Sequence, residues 1–132
     1  MFHIVHRHDQ QRGTIADVAF TGEPYGAGIS FFLGNLAPGQ GPGLHKHPYP
    51  ETCIVLSGRV AMVVDGEEMV AGAGDIAVIG PATPHRFTAV GEERLEMVCV
   101  HASDRFIMEW VGDATQKDVV SRQVLRELGR RS

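Results

Sequence analysis

Two imidazoles and a carboxylate, His45, His47 and Glu51, stand close together in the chain, and all three carry odd numbers. In an extended segment, residues two or four apart point to the same face. These three side chains therefore converge on one side of the run His45-Lys-His-Pro-Tyr-Pro-Glu51. Pro48 and Pro50 keep the path extended, because proline disfavours helix at its own position and at the one before it. His85 follows Pro84 at the start of another predicted strand and is the candidate fourth member. Neutral imidazole with carboxylate suits one divalent transition metal ion: Fe, Mn, Zn, Ni, Co or Cu. A His-x-His pair alone carries little weight.

The elements that must position these groups read as short strands. Candidates are Phe2–Arg7, Ala27–Leu36, Thr52–Leu56, Arg59–Val64, Glu67–Val70, Asp75–Ile79, His85–Ala89 and Leu95–His101. Each is short and rich in Val, Ile, Phe or Met. Asp65-Gly66 between two of them is a two-residue hairpin signal. Gly72, Gly74, Gly80-Pro81 and Gly91 mark further turns. Many short strands at regular spacing predict an all-β sandwich or barrel. One segment reads as helix: in Asp118–Arg130, Val120, Val124 and Leu128 recur every four residues, the stripe of an amphipathic helix packing on the strands. The 132 residues fit one domain, with strands over about 2–103 and a helical segment over about 104–132.

Composition narrows the function classes. The formal net charge is −4 and no Lys/Arg cluster stands out, which argues against a nucleic-acid partner. No apolar run approaches membrane-spanning length, and the first residues lack the apolar stretch of a signal peptide. The expectation is a soluble, cytoplasmic protein. Cys53 and Cys99 both lie inside apolar runs and read as buried free thiols. Thr52-Cys-Ile-Val-Leu56 is apolar on both faces, whereas a half-exposed strand alternates. That predicts cover on the outer face, by the helix or by a second subunit in a homodimer.

The residues from Gly39 to Gly58 resemble the first motif of the cupin family. Glycine, five residues, His45-x-His47, three residues, Glu51, six residues and Gly58 all fit. The second motif is matched at Gly74 and His85 and departs at Gly80, Ala82 and Ala89, where the family has proline, glycine and asparagine. The resemblance covers about Ile29 to Ser103. It implies a double-stranded β-helix, a jelly-roll barrel, with a metal inside held by His45, His47, Glu51 and His85. Small single-domain cupins share no common substrate, so fold does not settle function.

Strand alternation extends the site. If Glu51 and His85 face inward, so do Val55 and Phe87; in the last predicted strand Met97 and His101 turn inward too. Val55, Phe87 and Met97 are thus expected to give an apolar pocket wall. His101 would be a donor or proton shuttle, with a partly solvated strand-end histidine as the plainer alternative. His3, His6 and His8 read as exposed. Phe106 and Trp110 read as anchors for the C-terminal segment. Four protein ligands leave two positions open on an octahedral ion, and three imidazoles with one carboxylate leave it one net positive charge. Both features favour a small anionic or oxygen-rich molecule. Three functions follow: a dioxygenase-like enzyme in which Glu51 and His101 take part, a metal-dependent isomerase, or a small-molecule binding protein without turnover.

Overall fold

Ten strands carry the regular structure of the computed structural model, which describes residues 2–12 and 16–112. They are β1 Ala16–Thr21, β2 Ser30–Leu36, β3 His45–Lys46, β4 Glu51–Ser57, β5 Arg59–Val64, β6 Glu67–Gly72, β7 Ile76–Ile79, β8 His85–Val90, β9 Leu95–His101 and β10 Glu109–Trp110. They form two five-stranded antiparallel sheets, ordered β1-β2-β9-β4-β7 and β10-β3-β8-β5-β6. Both sheets contribute to one apolar core. Leu36, Val55, Ile79, Leu95 and Met97 come from the first sheet, and Val60, Met62, Phe87 and Ala89 from the second. This is the all-β double-stranded β-helix that the motifs implied. The expected barrel is corrected in one respect: no hydrogen-bonded edge joins the two sheets among the described residues, so the jelly roll is not closed.

Local chemistry explains the strand breaks. Asp65 and Gly66 both adopt positive φ, 49° and 79°, the signature of the turn whose twist matches a hairpin. Val64 and Glu67 accordingly pair across it. Gly58, at the crossing from β4 to β5, has φ 78°, and a Cβ there would sit 2.4 Å from the Arg94 carbonyl oxygen. Only glycine fits. In β9 the burial alternates, with Leu95, Met97, Cys99 and His101 inside and Glu96 exposed, as period-two patterning requires.

One strand expectation also changes. Phe2–Arg7 is not a strand: Phe2 is 82% exposed, and a 3-10 turn begins at Arg7. The sheet edge is formed instead by β1, which pairs with β2 from Thr21↔Ser30 onward. The outer face of β4 is open among the described residues. Leu56 is exposed, as are Ile76 and Val78 on neighbouring β7. The predicted helix at 118–130 lies outside the described residues; within 104–112 the regular element is the short β10. Among the described residues no helix is long and apolar enough to cross a membrane.

Candidate metal centre

Two segments far apart in sequence bring the predicted residues together. The first runs through β3 into β4 and carries His45, His47 and Glu51. The second is the 80–84 loop that delivers His85 to the first position of β8. They are stitched to each other. His45 and His85 are direct cross-strand neighbours. The Ala82 N–H donates to the His47 carbonyl oxygen at 2.7 Å. Gly41 lies so close to β8 that a Cβ would fall 1.9 Å from the Phe87 carbonyl oxygen, so a glycine is required there too. Glu51 pairs with His101 of β9 on its other side.

The imidazoles are oriented by backbone carbonyls. His45 Nδ1 meets Gly43 O at 2.6 Å, His47 Nδ1 meets Ile107 O at 2.8 Å, and His85 Nδ1 meets Thr83 O at 2.8 Å. A carbonyl oxygen only accepts, so each Nδ1 carries the hydrogen and each neutral ring turns an Nε2 lone pair inward. His47 Nε2 and His85 Nε2 lie 3.1 and 3.2 Å from Glu51 Oε1. The four candidate ligand atoms all lie within 4.8 Å of one another, and all four residues are buried. Converging acceptors repel unless a cation or added protons sit among them. The cluster could hold a metal ion, and the backbone bonds already give its imidazoles the tautomer that ligation needs.

Titration behaviour sets His45 apart from His47. Burial, opposed by the Gly43 carbonyl, depresses His45 to about 4, so its ring is neutral at physiological pH. Burial opposes the Glu51 charge, but His101, His47 and His85 together outweigh it and hold the carboxyl well below the usual range. Burial also pulls His47 down, and the Glu51 carboxylate and Ile107 carbonyl more than compensate, leaving it raised.

His101 is fully inside at 2% exposure, which removes the partly solvated alternative. Its Nδ1 is 2.7 Å from the Tyr49 hydroxyl, which also accepts from Ile107 N–H at 3.1 Å. Its Nε2 lies 3.5 Å from Glu51 Oε2 and, like His47 Nε2, has no hydrogen-bond partner. Tyr49 was missed in the sequence, although it shares the odd-number parity of the three ligand candidates and is only 7% exposed.

A cavity of about 250 Å³ opens on this cluster. Phe32, Phe87, Phe106 and Met108 supply its apolar wall, and His45, His47 and His101 its polar end. Phe87 sits where alternation put it. Val55 and Met97 lie instead in the packed core, below the level of the cavity lining. Phe106, read as an anchor, lines the cavity. No periodicity marks residues 106–108, because they form an irregular strap after β9.

Beneath Glu51, Cys53 and Cys99 face each other across β4 and β9, with sulfurs 2.7 Å apart, and Cys53 Sγ is 3.4 Å from Glu51 Oε2. Burial pushes the Cys99 thiol well up. The Cys99 contact pulls Cys53 down, but burial and the Glu51 charge carry it above its usual value. Both are free, protonated core residues.

With this geometry in place, comparison with known proteins gives the class. The family profile described as a cupin domain matches residues 32–101, more than half of the chain, and the chain belongs to that family. Among solved structures it is similar to an uncharacterized conserved protein with a double-stranded β-helix domain from Klebsiella pneumoniae subsp. pneumoniae MGH 78578. There the TM-score is 0.59 at 26% identity, over 64% of this chain and 76% of the other. It is also similar to Lactobacillus farciminis oxalate decarboxylase in its formate complex, with TM-score 0.71 at 20% identity, over 80% of this chain and 35% of the other. That likeness concerns the fold. A curated relative, the uncharacterized protein MJ1618 of Methanocaldococcus jannaschii, is 37% identical over 57 residues. The matched region is 42% of this chain and 46% of that protein, so the chain spans less than half of its length.

Proposed function

We propose that this cupin is a metal-dependent enzyme of dioxygenase-like type acting on a small anionic or oxygen-rich molecule. The observation that carries the reading is the convergence of three pre-oriented imidazoles and a carboxylate at the end of an apolar cavity. His45, His47, Glu51 and His85 would hold one divalent ion. The bound ion would supply Lewis acidity and, if redox-active, a site for dioxygen chemistry. The chain's own residues do the rest. Phe32, Phe87 and Phe106 exclude water around the ligand, which strengthens every charge interaction inside. Tyr49 holds His101 by its Nδ1, leaving Nε2 directed toward Glu51 at the cavity's polar end, where it can meet a ligand oxygen.

Manganese is a reasonable candidate ion: Bacillus subtilis oxalate decarboxylase, with which the chain shares the fold, has Mn(II) centres. The two free thiols suit a reducing compartment, the cytoplasm. A second copy docking on Leu56, Ile76 and Val78 would cover the exposed apolar face, giving a homodimer whose mass light scattering can read.

The deciding experiment is elemental analysis of protein purified without added metal, followed by oxygen uptake with phenols, diketones and thiols. Substrate-dependent uptake by Fe- or Mn-loaded protein, absent in Glu51→Ala, supports the enzyme. Tight ligand binding without chemical change under air, for every metal tried, assigns a binding protein instead. Isomerised product without oxygen uptake assigns an isomerase.

A further inference from the structure

We infer that the cavity selects a singly charged acid with a compact apolar tail, and rejects the same head group bearing a second charge. The inference rests on the metal-binding reading above and names the substrate class for that site.

Charge comes first. Three neutral imidazoles and one ionised Glu51 leave a divalent ion with one net positive charge, which a single anionic head neutralises. Beyond the histidines, the described lining is aromatic or aliphatic: Phe32, Phe87, Phe106, Met108 and Pro42. No Lys, Arg, Asp or Glu is among the described lining residues. A carboxylate at the far end of a ligand would be stripped of water against phenyl rings with no partner, which is strongly unfavourable. An alkyl or aryl tail gains from the same contact.

Shape comes second. The cavity of about 250 Å³ is smaller than the roughly 300–1,000 Å³ of sites for drug-sized molecules. Phe32 and Phe87 are nearly parallel, with centroids 6.4 Å apart. Phe106 stands edge-on to His101 at 5.0 Å. The lining runs from the histidines at the polar end to the exposed Phe106 at the rim.

The test keeps the head constant and varies the tail. Full-length chain is loaded with Co(II) and titrated by calorimetry with 4-methyl-2-oxopentanoate and with 2-oxoglutarate, two 2-oxo acids of similar size. The visible bands of Co(II) report engagement of the head independently of any turnover. The branched monoacid should bind at least ten times more tightly than the diacid. Phe106→Lys places a cation at the rim and should cut that ratio to threefold or less, chiefly by tightening 2-oxoglutarate. Equal affinities in the unaltered protein, or tighter binding of the diacid, would overturn the inference while leaving the metal reading intact. Failure of Co(II) to load would overturn the metal reading and this inference with it.

Discussion

The two segments that build the His/Glu cluster solve the same problem in different ways. The stretch from His45 to Glu51 carries three groups across from one sheet to the other; it bends at Pro48 and Tyr49, and none of its residues needs a positive φ. The 80–84 loop places one histidine by a bend. Ala82 sits at φ 57°, in the left-handed region that costs a residue with a Cβ about 1–2 kcal/mol. The bend survives because Ala82 N–H is bonded to the His47 carbonyl and Thr83 O anchors the His85 ring. Spacing records which residue types a segment offers. Where it turns, the site depends on backbone bonds that no spacing records.

The largest effect tests whether the two segments are equal partners. Alanine at His45, His47 or His85 should each lower metal affinity by at least about 100-fold, above the 10–100-fold typical of losing a group that merely orients a ligand. Metal content after gel filtration reads this directly. A His85→Ala protein that keeps stoichiometric metal would show that the loop is dispensable.

Next in size is acid sensitivity. In chelated protein, His45 titrates near 4 against 6.5 when unfolded. Between those values the unfolded chain binds the extra proton, so stability falls as pH falls, by about 3 kcal/mol from this residue. His47 opposes it: its raised folded value contributes stability below 6.5 that is lost as pH rises through that value. Glu51, held low, gives up its contribution only below about 4.5, its ordinary range. Urea midpoints of the chelated protein should therefore drop from pH 6.5 to 4. The gap between metal-loaded and chelated midpoints should close over the same range, because imidazoles must be neutral to ligate. Midpoints that stay level would refute the buried neutral His45.

A smaller effect isolates the bend. Ala82→Gly should stabilise the protein by about 0.5–1 kcal/mol, the relieved strain less the added freedom of the unfolded chain. Ala82→Val should destabilise it and weaken metal binding through His85 alone. Smallest of all, Tyr49→Phe should cost about 1 kcal/mol while metal stoichiometry stays intact, since the tyrosine orients His101 rather than the ion. Loss of metal in that variant would place Tyr49 among the groups that hold it.

The same contrast explains what could be read from the residues. His45, His47 and Glu51 were legible because their spacing from Gly39 to Gly58 matches the first cupin motif, and that spacing is a property of the chain itself. His85 was legible because a proline-marked turn preceded a strand. Tyr49 shares their odd-number parity and was passed over because a phenol is not an expected ligand. Residues 106–108 were opaque: an irregular strap acquires its role only from what the fold sets opposite it. Phe2–Arg7 had strand-like composition, but β1 took the sheet edge, so propensity lost to tertiary pairing.

That strap has a consequence for ligand exchange. Ile107 O orients the His47 ring, while Phe106 and Met108 on either side of it wall the cavity. A molecule bulky enough to displace the wall must also pull the carbonyl off His47. Coupled equilibria are reciprocal, so with an ion held at His47 an oversized guest would loosen it, and a firmly seated ion would expel the guest. On the proposed metal reading the protein would thus set a size limit through free energy rather than by a closed door. Escape of metal to a chelator should accelerate as the guest grows, and a rate indifferent to guest size would separate the two roles of the strap.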